Sequence, residues 1–235
     1  MTPDIHPTAV VHPNARLGAG VRVGPLAVIG EGVFIGNGSD IGAHAALGKE
    51  PQLGAASTSK TGGPLPPLEI GEATRIGAHA VVCRGARIGA RADVGDGALI
   101  RERAIIGDDT VIGAHVVIEN DVSIGDRTKI QTKAYITALT VIESDVFIAP
   151  CVITTNDNFM GRTEERFKHK GGAKILRGAR VGAGAVLLPN VVIGREAFVA
   201  AGSIVTRNAP EGMLVMGTPA KPVRPVNEKE KLDYK

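Results

Sequence analysis

The stretch I-R-E-R-A-I-I-G-D-D-T-V-I-G-A-H-V-V-I-E-N-D-V-S-I-G, residues 100–125, decides the fold, because an isoleucine returns in it at every sixth position. These isoleucines are Ile100, Ile106, Ile112, Ile118 and Ile124, and we name their position i. Position i+4 is small or β-branched, and it lies two residues before the next i, so both face the same side of a short strand. Six residues are too few for a helix with a return. The period therefore predicts short strands separated by corners.

The same period runs through most of the chain in three series of hexads. The series begin at Ile5, Ile70 and Ile175 and end at Leu47, Thr154 and Val205. Of these 29 i positions, 28 are Ile, Leu or Val, while aromatic residues make up only 3% of the chain. Three hexads per turn predict a triangular coil, and stacked coils bury the columns of i and i+4 side chains. The predicted fold class is therefore all-β, a parallel β-helix.

Glycine occupies position i+1 in 15 of the 29 hexads. Because glycine adopts positive φ without steric cost, we expect the i+1 glycine to supply the positive φ of each sharp corner.

Two segments interrupt the hexads and predict excursion loops. Residues 48–69 are rich in Gly, Pro, Ser and Thr, and residues 155–174 contain two of the five Phe. Long loops in compact folds are usually functional. We predict one β-helix domain over residues 1–225 and a short polar C-terminal tail over residues 226–235.

Composition excludes several classes of function. The net charge is +3 and no Lys/Arg-rich run is present, so we do not expect a nucleic-acid partner. No signal sequence or long apolar run is visible, which predicts a cytoplasmic protein without a membrane partner. Cys83 and Cys151 suit neither a disulfide framework nor a zinc ribbon, and we expect both as outward corner residues.

One edge of the predicted coil carries polar groups where the other edges carry glycine. If both loops leave and rejoin at corners, one corner collects residues 83–85, 101–103, 119–121, 137–139, 155–157, 188–190 and 206–208. None of these triplets begins with Gly. Asn120 and Asn156 share slot i+2 two coils apart, about 10 Å. We expect a concave site here; the alternative is a solvated edge on which Asn and Asp form corners.

Three motifs at this edge resemble a known family. They are E-N-D-V-S-I-G-D (119–126), D-V-F-I-A-P (145–150) and T-N-D (155–157), with Arg162 shortly after. They are similar to the left-handed β-helix hexapeptide-repeat acyltransferases, and most of all to N-acetyltransferases of nucleotide-linked amino sugars of the 3-amino-3,6-dideoxyhexose and 3-amino-glucuronate types. The resemblance implies a left-handed coil, acetyl-CoA as acyl donor, no metal, and a homotrimer with its sites between adjacent subunits.

The resemblance also implies roles for individual residues. Glu119, Asn120 and Asp121 would be catalytic. The residues implied to bind the sugar substrate are Asn156, Asp157, Arg162, Arg84 and Glu102. R-G-A-R-V-G-A-G-A (177–185) and M-G-T-P-A-K (216–221) are similar to the cofactor-binding end of the family. There the residues implied to bind coenzyme A are Arg180, Gly182, Ala200, Gly202, Arg207 and Lys221.

The N-terminal I-H-P-T-A-V-V-H-P (5–13) and the loop at 48–69 are more similar to the O-acyltransferases of lipid A synthesis. In that family the corner aligned with Asn120-Asp121 reads His-Asp, and the His is the general base. Asn120 takes up no proton at neutral pH. A hydroxyl acceptor needs a base, whereas a neutral amine brings its own lone pair, so Asn120 favours an amino acceptor. A sugar acyltransferase that uses acyl carrier protein is the alternative.

Four histidines keep other interpretations open. His44, His79 and His115 follow I-G-A and share slot i+3 of a different corner, as in a metal site of the γ-carbonic-anhydrase type. One linear column gives poor tetrahedral geometry for a metal ion, so the three histidines are also interpreted as surface turn residues. A further interpretation gives His79 or His115 a catalytic role across a subunit boundary. His169 in the second loop is a candidate base, a phosphate contact or part of a solvated patch. A purely structural β-helix assembly is the non-enzymatic alternative.

Overall fold

The computed structural model describes residues 2–57 and 63–232, and these form a β-solenoid of short parallel strands. Each i residue lies in a strand and is followed by a corner, so the hexads of the sequence correspond to the strands of the structure. No helix among the described residues is long and apolar enough to span a bilayer.

The strands of the first half, in chain order, are β1 (Asp4–Ile5), β2 (Val10–Val11), β3 (Arg16–Leu17), β4 (Arg22–Val23), β5 (Val28–Ile29), β6 (Phe34–Ile35), β7 (Asp40–Ile41), β8 (Ala46–Lys49), β9 (Glu69–Ile70), β10 (Arg75–Ile76), β11 (Val81–Cys83), β12 (Arg87–Ile88), β13 (Asp93–Val94), β14 (Leu99–Ile100), β15 (Ile105–Ile106) and β16 (Val111–Ile112).

The remaining elements are β17 (Val117–Ile118), β18 (Ser123–Ile124), β19 (Lys129–Ile130), β20 (Tyr135–Ile136), β21 (Val141–Ile142), β22 (Phe147–Ile148), β23 (Ile153–Thr154), α1 (Arg166–His169), β24 (Lys174–Ile175), β25 (Arg180–Val181), β26 (Val186–Leu187), β27 (Val192–Ile193), β28 (Phe198–Val199), β29 (Ile204–Val205), β30 (Met213–Gly217), β31 (Ala220–Pro225) and a 3-10 helix over Glu228–Glu230.

Each strand from β1 to β26 pairs with the strand three places later, which builds three parallel sheets. The first sheet contains β1, β4, β7 and so on to β28, then β30 and β31; the second contains β2 to β29; the third contains β3 to β27. Their registers join i residues that lie 18 apart, as in Val82 with Ile100 and Ile88 with Ile106. The triangular coil predicted from the sequence is confirmed.

The core is the interior of the triangle. The i residues Ile100, Ile112 and Ile118 are fully buried, and so are i+4 alanines such as Ala80 and Ala104. Thr154 is the one i residue that is not Ile, Leu or Val, and its hydroxyl accepts a hydrogen bond from the backbone N–H of Thr137 at 2.8 Å. Its polar group is therefore satisfied inside the core.

The expected role of the i+1 glycines was wrong. Positive φ occurs at slot i+3, for example at His79 (58°), Arg103 (60°) and Asp121 (59°), and the i+1 glycines are not among the positive-φ residues apart from Gly48. A Cβ built on Gly95 would lie 2.5 Å from the Ala114 backbone nitrogen of the next coil. Glycine at i+1 therefore permits the close approach of successive coils, and slot i+3 makes the turn.

Both excursion loops leave the solenoid at the same corner. The first follows β8 in the second sheet and ends at β9 in the third, and the second joins β23 of the second sheet to β24 of the third. The second loop contains the short helix α1. Residues 58–62 of the predicted first loop, like Met1 and residues 233–235 of the predicted tail, lie outside the described residues.

The C-terminal end turns back onto the solenoid. Strands β30 and β31 form an antiparallel hairpin that extends the first sheet. Val226 after it is buried, and its N–H donates to the carbonyl of Gly212 at 2.7 Å. The described part of the predicted polar tail, residues 226–232, therefore begins with a packed residue.

Candidate functional site

The corner between the second and third sheets carries most of the predicted substrate-binding and catalytic residues. We call residues 83–85, 101–103, 119–121, 137–139 and 155–157 the polar corner. Asn120 follows β17 and Asn156 follows β23, with β20 between them in the second sheet, so the predicted alignment of these two residues is confirmed. The first loop leaves before this segment and the second loop leaves at its end, so the polar corner lies between two loops.

Arg101 organises the acidic side chains of the polar corner. Its Nη2 and Nε donate to the two carboxylate oxygens of Glu102 at 2.8 and 3.1 Å, and its Nη1 donates to Glu119 Oε2 at 2.9 Å. The Tyr135 hydroxyl donates to the other oxygen of Glu119 at 3.3 Å. Glu102 is only 1% exposed. A carboxylate so buried needs a paired cation. Arg101 and Glu102 therefore form a rigid ion pair that lies beneath Glu119 and supports it.

Asp121 is held as a carboxylate beside Asn120. Arg103 donates to it through Nε at 2.6 Å and Nη2 at 2.9 Å, and the Asn120 amide donates to Asp121 Oδ2. The hydrogen bond from Arg103 lowers the pKa of Asp121, and the bond from Asn120 adds to this. A general base works best with a pKa near the operating pH, so Asp121 is better suited to orienting Asn120 than to removing a proton.

The cysteine prediction was half right. Cys151 is exposed, whereas Cys83 is buried. Burial raises the pKa of the Cys83 thiol, and the nearby Glu102 carboxylate raises it further. A thiol with a raised pKa is a poor nucleophile. Cys83 is therefore part of the floor of the polar corner.

The second loop is organised by Asp157. Its carboxylate accepts from the backbone N–H groups of Phe159 at 2.8 Å and Gly161 at 3.0 Å, and Arg166 donates to it at 3.3 Å. The backbone bonds, that of Gly161 first, lower the pKa of Asp157. Asn156 donates from Nδ2 to the carbonyl of Ala138 at 3.3 Å. Asp157 thus shapes the loop, while Arg162 is exposed on it.

The predicted substrate residue Arg84 fastens the first loop. Its Nε donates to the carbonyl of Leu65 at 3.0 Å and its Nη1 to the carbonyl of Glu31 at 2.9 Å, and it pairs with Glu50 at 3.2 Å. This loop-holding role had no signal in the sequence, because the partners are backbone atoms 19 and 53 residues away.

The predicted cofactor residues are spread over separate edges of one chain. Gly182, Ala200 and Gly202 lie at the corner between the first and second sheets, and Arg207 lies across the second sheet, after β29. Arg180 points outward from the first sheet, stacks over the Phe198 ring at 4.8 Å and pairs with Glu230 at 3.1 Å. Its Nε and Nη2 are buried and have no hydrogen-bond partner among the residues that the structure describes. Lys221 is on β31.

The histidine column is at the corner between the first and second sheets, as predicted. The rings of His44 and His79 stack with centroids 4.6 Å apart. A Cβ on Gly97 would lie 2.5 Å from Nδ1 of His115, so the His115 ring covers that glycine. In the part of the chain that the structure describes, no three His, Cys, Asp or Glu side chains are grouped so that they could hold a metal ion.

An apolar column on the outer face of the second sheet was missed by the sequence analysis. The residue before each i position in this sheet is apolar in all ten strands: Val10, Val28, Ala46, Val81, Leu99, Val117, Tyr135, Ile153, Val186 and Ile204. In the first and third sheets this position varies between charged residues, as in the Arg75–Asp93 pair, and apolar ones such as Phe34 and Ile105. The 18-residue period of these apolar residues was visible in the sequence. One border of this face is the polar corner and the other is the histidine column.

Comparisons with known proteins match the repeats. Residues 103–138 and 172–207 match the bacterial transferase hexapeptide family of six repeats, and residues 67–101 match the hexapeptide repeat of succinyl-transferase. A 2,3,4,5-tetrahydropyridine-2,6-dicarboxylate N-acetyltransferase of Clostridium perfringens is 51% identical over 51 residues, 22% of this chain and 22% of the relative. A serine acetyltransferase of Buchnera aphidicola is 39% identical over 71 residues, 30% of this chain and 26% of the relative.

The matched stretch spans about a fifth to a quarter of the length of these relatives. Among solved structures, the Arabidopsis UDP-N-acetylglucosamine acyltransferase superposes with a TM-score of 0.52 at 22% identity, covering 96% of this chain and 75% of that one. This likeness concerns the fold.

Proposed function

We propose that this chain, a hexapeptide-repeat β-solenoid with acyltransferase relatives, transfers an acetyl group from coenzyme A to the amine of a nucleotide-linked amino sugar. The observation that carries the proposal is the polar corner, where Glu119, Asn120 and Asp121 stand between two excursion loops. Loops positioned by a rigid scaffold are where binding and catalytic groups concentrate.

The chemistry of the corner suits an amine acceptor. The lone pair of the amine attacks the thioester carbon, a C–N bond forms, and the C–S bond breaks. The proton lost by the nitrogen goes to the leaving thiolate, which departs as the free thiol of coenzyme A. One N–H of the Asn120 amide is held by Asp121, and the second, which bonds to none of the described residues, would donate to the thioester oxygen as it gains negative charge. No step requires Asp121 to act as a base.

We also propose that the protein is a homotrimer. A continuous apolar face that long is rare on a soluble monomer and suits contact with a second copy. In a ring with three-fold symmetry the contact is head-to-tail, so one border of the apolar face meets the opposite border of the next copy. This arrangement brings Arg207 of one copy towards Gly202 and Ala200 of another, and thereby unites cofactor residues that a single chain keeps apart.

A hydroxyl acceptor is the second candidate, favoured by the histidine column. In the same ring, His79 and His115 of one copy approach the polar corner of the next, where either would supply the base that Asn120 lacks. Acyl carrier protein would then be the alternative donor.

The test is acyl transfer by the purified protein with acetyl-CoA and a panel of nucleotide-linked amino sugars. Free thiol is followed optically and the product by mass spectrometry. We expect thiol release that depends on the amine and a product heavier by one acetyl group. A parallel series with the corresponding 3-hydroxy sugars and with acyl carrier protein separates the second candidate. If no amine of the panel causes thiol release at any protein concentration, the proposal is wrong.

A further inference from the structure

A cavity of about 750 Å³ opens at the N-terminal end of the third sheet, beside the polar corner but away from Asn120. Its floor is a row of outward side chains from adjacent strands, Arg16, Phe34 and Glu69, which are direct register partners. The Phe34 ring is 46% exposed. An exposed aromatic ring in the middle of a cavity floor is a platform on which a planar group can stack.

The first loop forms a fixed wall of this cavity. Pro67 stands over Gly32, where a Cβ would lie 3.2 Å from Pro67 Cγ. The two hydrogen bonds from Arg84 to Leu65 and Glu31 hold this arm of the loop against the corner. The wall is thus attached to the solenoid by both packing and hydrogen bonds, and the cavity is preformed.

Three of the polar side chains around the platform have no partner among the described residues, whereas Glu69 pairs with Arg87 and Arg84 is bonded to the first loop. Within the described residues, the Arg16 guanidinium, the Asn14 side-chain amide and the Glu31 carboxylate line the cavity, and no hydrogen bond or ion pair engages them. The other arginines that point outward from the short parallel strands are paired, as Arg22 is with Asp40 at 2.7 Å and Arg75 with Asp93 at 2.7 Å. The cavity therefore offers one cation, one carboxylate and one amide with both donor and acceptor capacity.

We propose that this cavity binds the nucleoside diphosphate part of a nucleotide. The base stacks on Phe34, the Asn14 amide and the Glu31 carboxylate bond to the edge of the base, and Arg16 pairs with phosphate oxygens. Cavities of this size, with an apolar surface and a few convergent polar groups, are typical of small-molecule sites.

The proposal connects with the polar corner through Arg84. Arg84 lines the cavity and occupies slot i+2 of the polar corner, two coils before Asn120, a separation of about 10 Å. A nucleotide bound here directs its attached group along the edge that carries Asn120. The identity of the group attached to the nucleotide rests on the proposed function. Binding of the nucleotide itself does not depend on acyl transfer.

Calorimetric titration of the full-length protein tests the site with four probes: uridine, uridine diphosphate, thymidine diphosphate and inorganic pyrophosphate. We expect saturable binding of the two nucleoside diphosphates, weaker binding of uridine, and none of pyrophosphate alone. Phe34→Ala weakens the nucleoside diphosphates about 5- to 100-fold, the range found for loss of one base-stacking ring. Arg16→Gln weakens the diphosphates but leaves uridine unchanged.

Ile105→Ala is the matched control, since Ile105 is an outward, exposed residue of the same sheet that does not line the cavity. It leaves every affinity unchanged. Absence of saturable binding for both diphosphates, or equal binding by wild type and Phe34→Ala, overturns the inference. If nucleotides bind and need Phe34 but no amine is acylated, only the proposed function is refuted. If acyl transfer occurs and Phe34→Ala leaves the KM for the nucleotide-linked sugar unchanged, only this inference is refuted.

Discussion

Asn120 and Asn156 stand in the same slot of the same corner, two coils apart, and the Asn156 amide donates to the carbonyl of Ala138 in the coil between them at 3.3 Å. Asn156 is thereby fixed to the solenoid although the second loop begins beside it. Asn120 is fixed through Asp121. The two amides mark the ends of the segment in which we place the acyl transfer.

Replacement of Asn120 tests its role as the donor to the thioester oxygen. We expect Asn120→Ala to lower kcat about 100-fold with a smaller change in KM, because the lost bond acts mainly in the transition state. Asn158→Ala is the control, since Asn158 is an exposed asparagine of the adjacent loop. Steady-state kinetics of thiol release checks both variants. Unchanged kcat and KM in Asn120→Ala would remove Asn120 from the mechanism.

The Arg180–Glu230 pair predicts an effect on the affinity for coenzyme A. Within the described part of the chain, two buried donor atoms of Arg180 are unpaired while Glu230 holds a third, so a phosphate with more acceptor oxygens competes well for this guanidinium. Glu230→Gln is expected to tighten binding of coenzyme A several-fold in a calorimetric titration, and Arg180→Met to weaken it at least about 10-fold. Glu228→Gln, which alters an acid of the same 3-10 helix, should match wild type. Equal affinities for all variants would separate Arg180 from the cofactor site.

The apolar column predicts the oligomeric state. Ile153→Glu places a charge within this face, and we expect it to convert the trimer into monomers, because an unpaired buried charge is costly at an interface. Ile105→Glu makes the same change on the third sheet and should leave the trimer intact. Light scattering after size exclusion measures both. A monomeric wild type, or an Ile153→Glu variant that stays trimeric, would refute the assignment of this face.

The Arg103–Asp121 pair predicts a pH-dependent contribution to stability. The pKa of Asp121 is lowered in the folded protein, so its contribution is present above the ordinary carboxyl pKa and is lost as the pH falls through the folded value. Both side chains are about one-third exposed, so we expect Asp121→Asn to cost about 0.5–1 kcal/mol at pH 7.

Below the lowered folded-state pKa of Asp121, the Asp121→Asn variant and wild type should have the same free energy of unfolding, because Asp121 is then protonated in both the folded and the unfolded state. Urea unfolding at several pH values measures the difference. Asp93→Asn removes a more exposed partner of Arg75 and serves as control. A difference that grows towards low pH would contradict the assignment.

The interior predicts a much larger cost for one inward residue. Ile112 is fully buried on the first sheet, and Ile112→Ala should destabilise the protein by about 2–5 kcal/mol because it leaves a cavity between coils that cannot collapse. Val111→Ala, its half-buried outward neighbour, should cost less than about 1 kcal/mol. Similar losses for both variants would mean that the two residues do not face opposite sides of the strand.

The site was predictable where it depends on register alone. Once residues 18 apart are stacked, Asn120 must align with Asn156, and His79 must align with His115. The partners of Arg84 and Arg101 were not predictable in the same way. Arg84 donates to the backbone carbonyl of Leu65 in a loop whose path has no period, and Arg101 binds both its chain neighbour Glu102 and Glu119 of the next coil, which the repeat does not specify. The positive φ at slot i+3 was missed because the repeat marks glycine, not φ, and glycine is needed at i+1 for a different reason.

The sequence by itself determined the coil and its three sheets, because a strict six-residue period allows only one alignment of buried and exposed positions. The common corner of the two loops was an assumption, since the period is interrupted there, and the structure confirms it. The tertiary structure alone decided which charges pair, that Cys83 is buried, and that the C-terminal segment returns to Arg180. These features depend on side-chain directions and loop paths between residues far apart in the chain, and no local pattern specifies them.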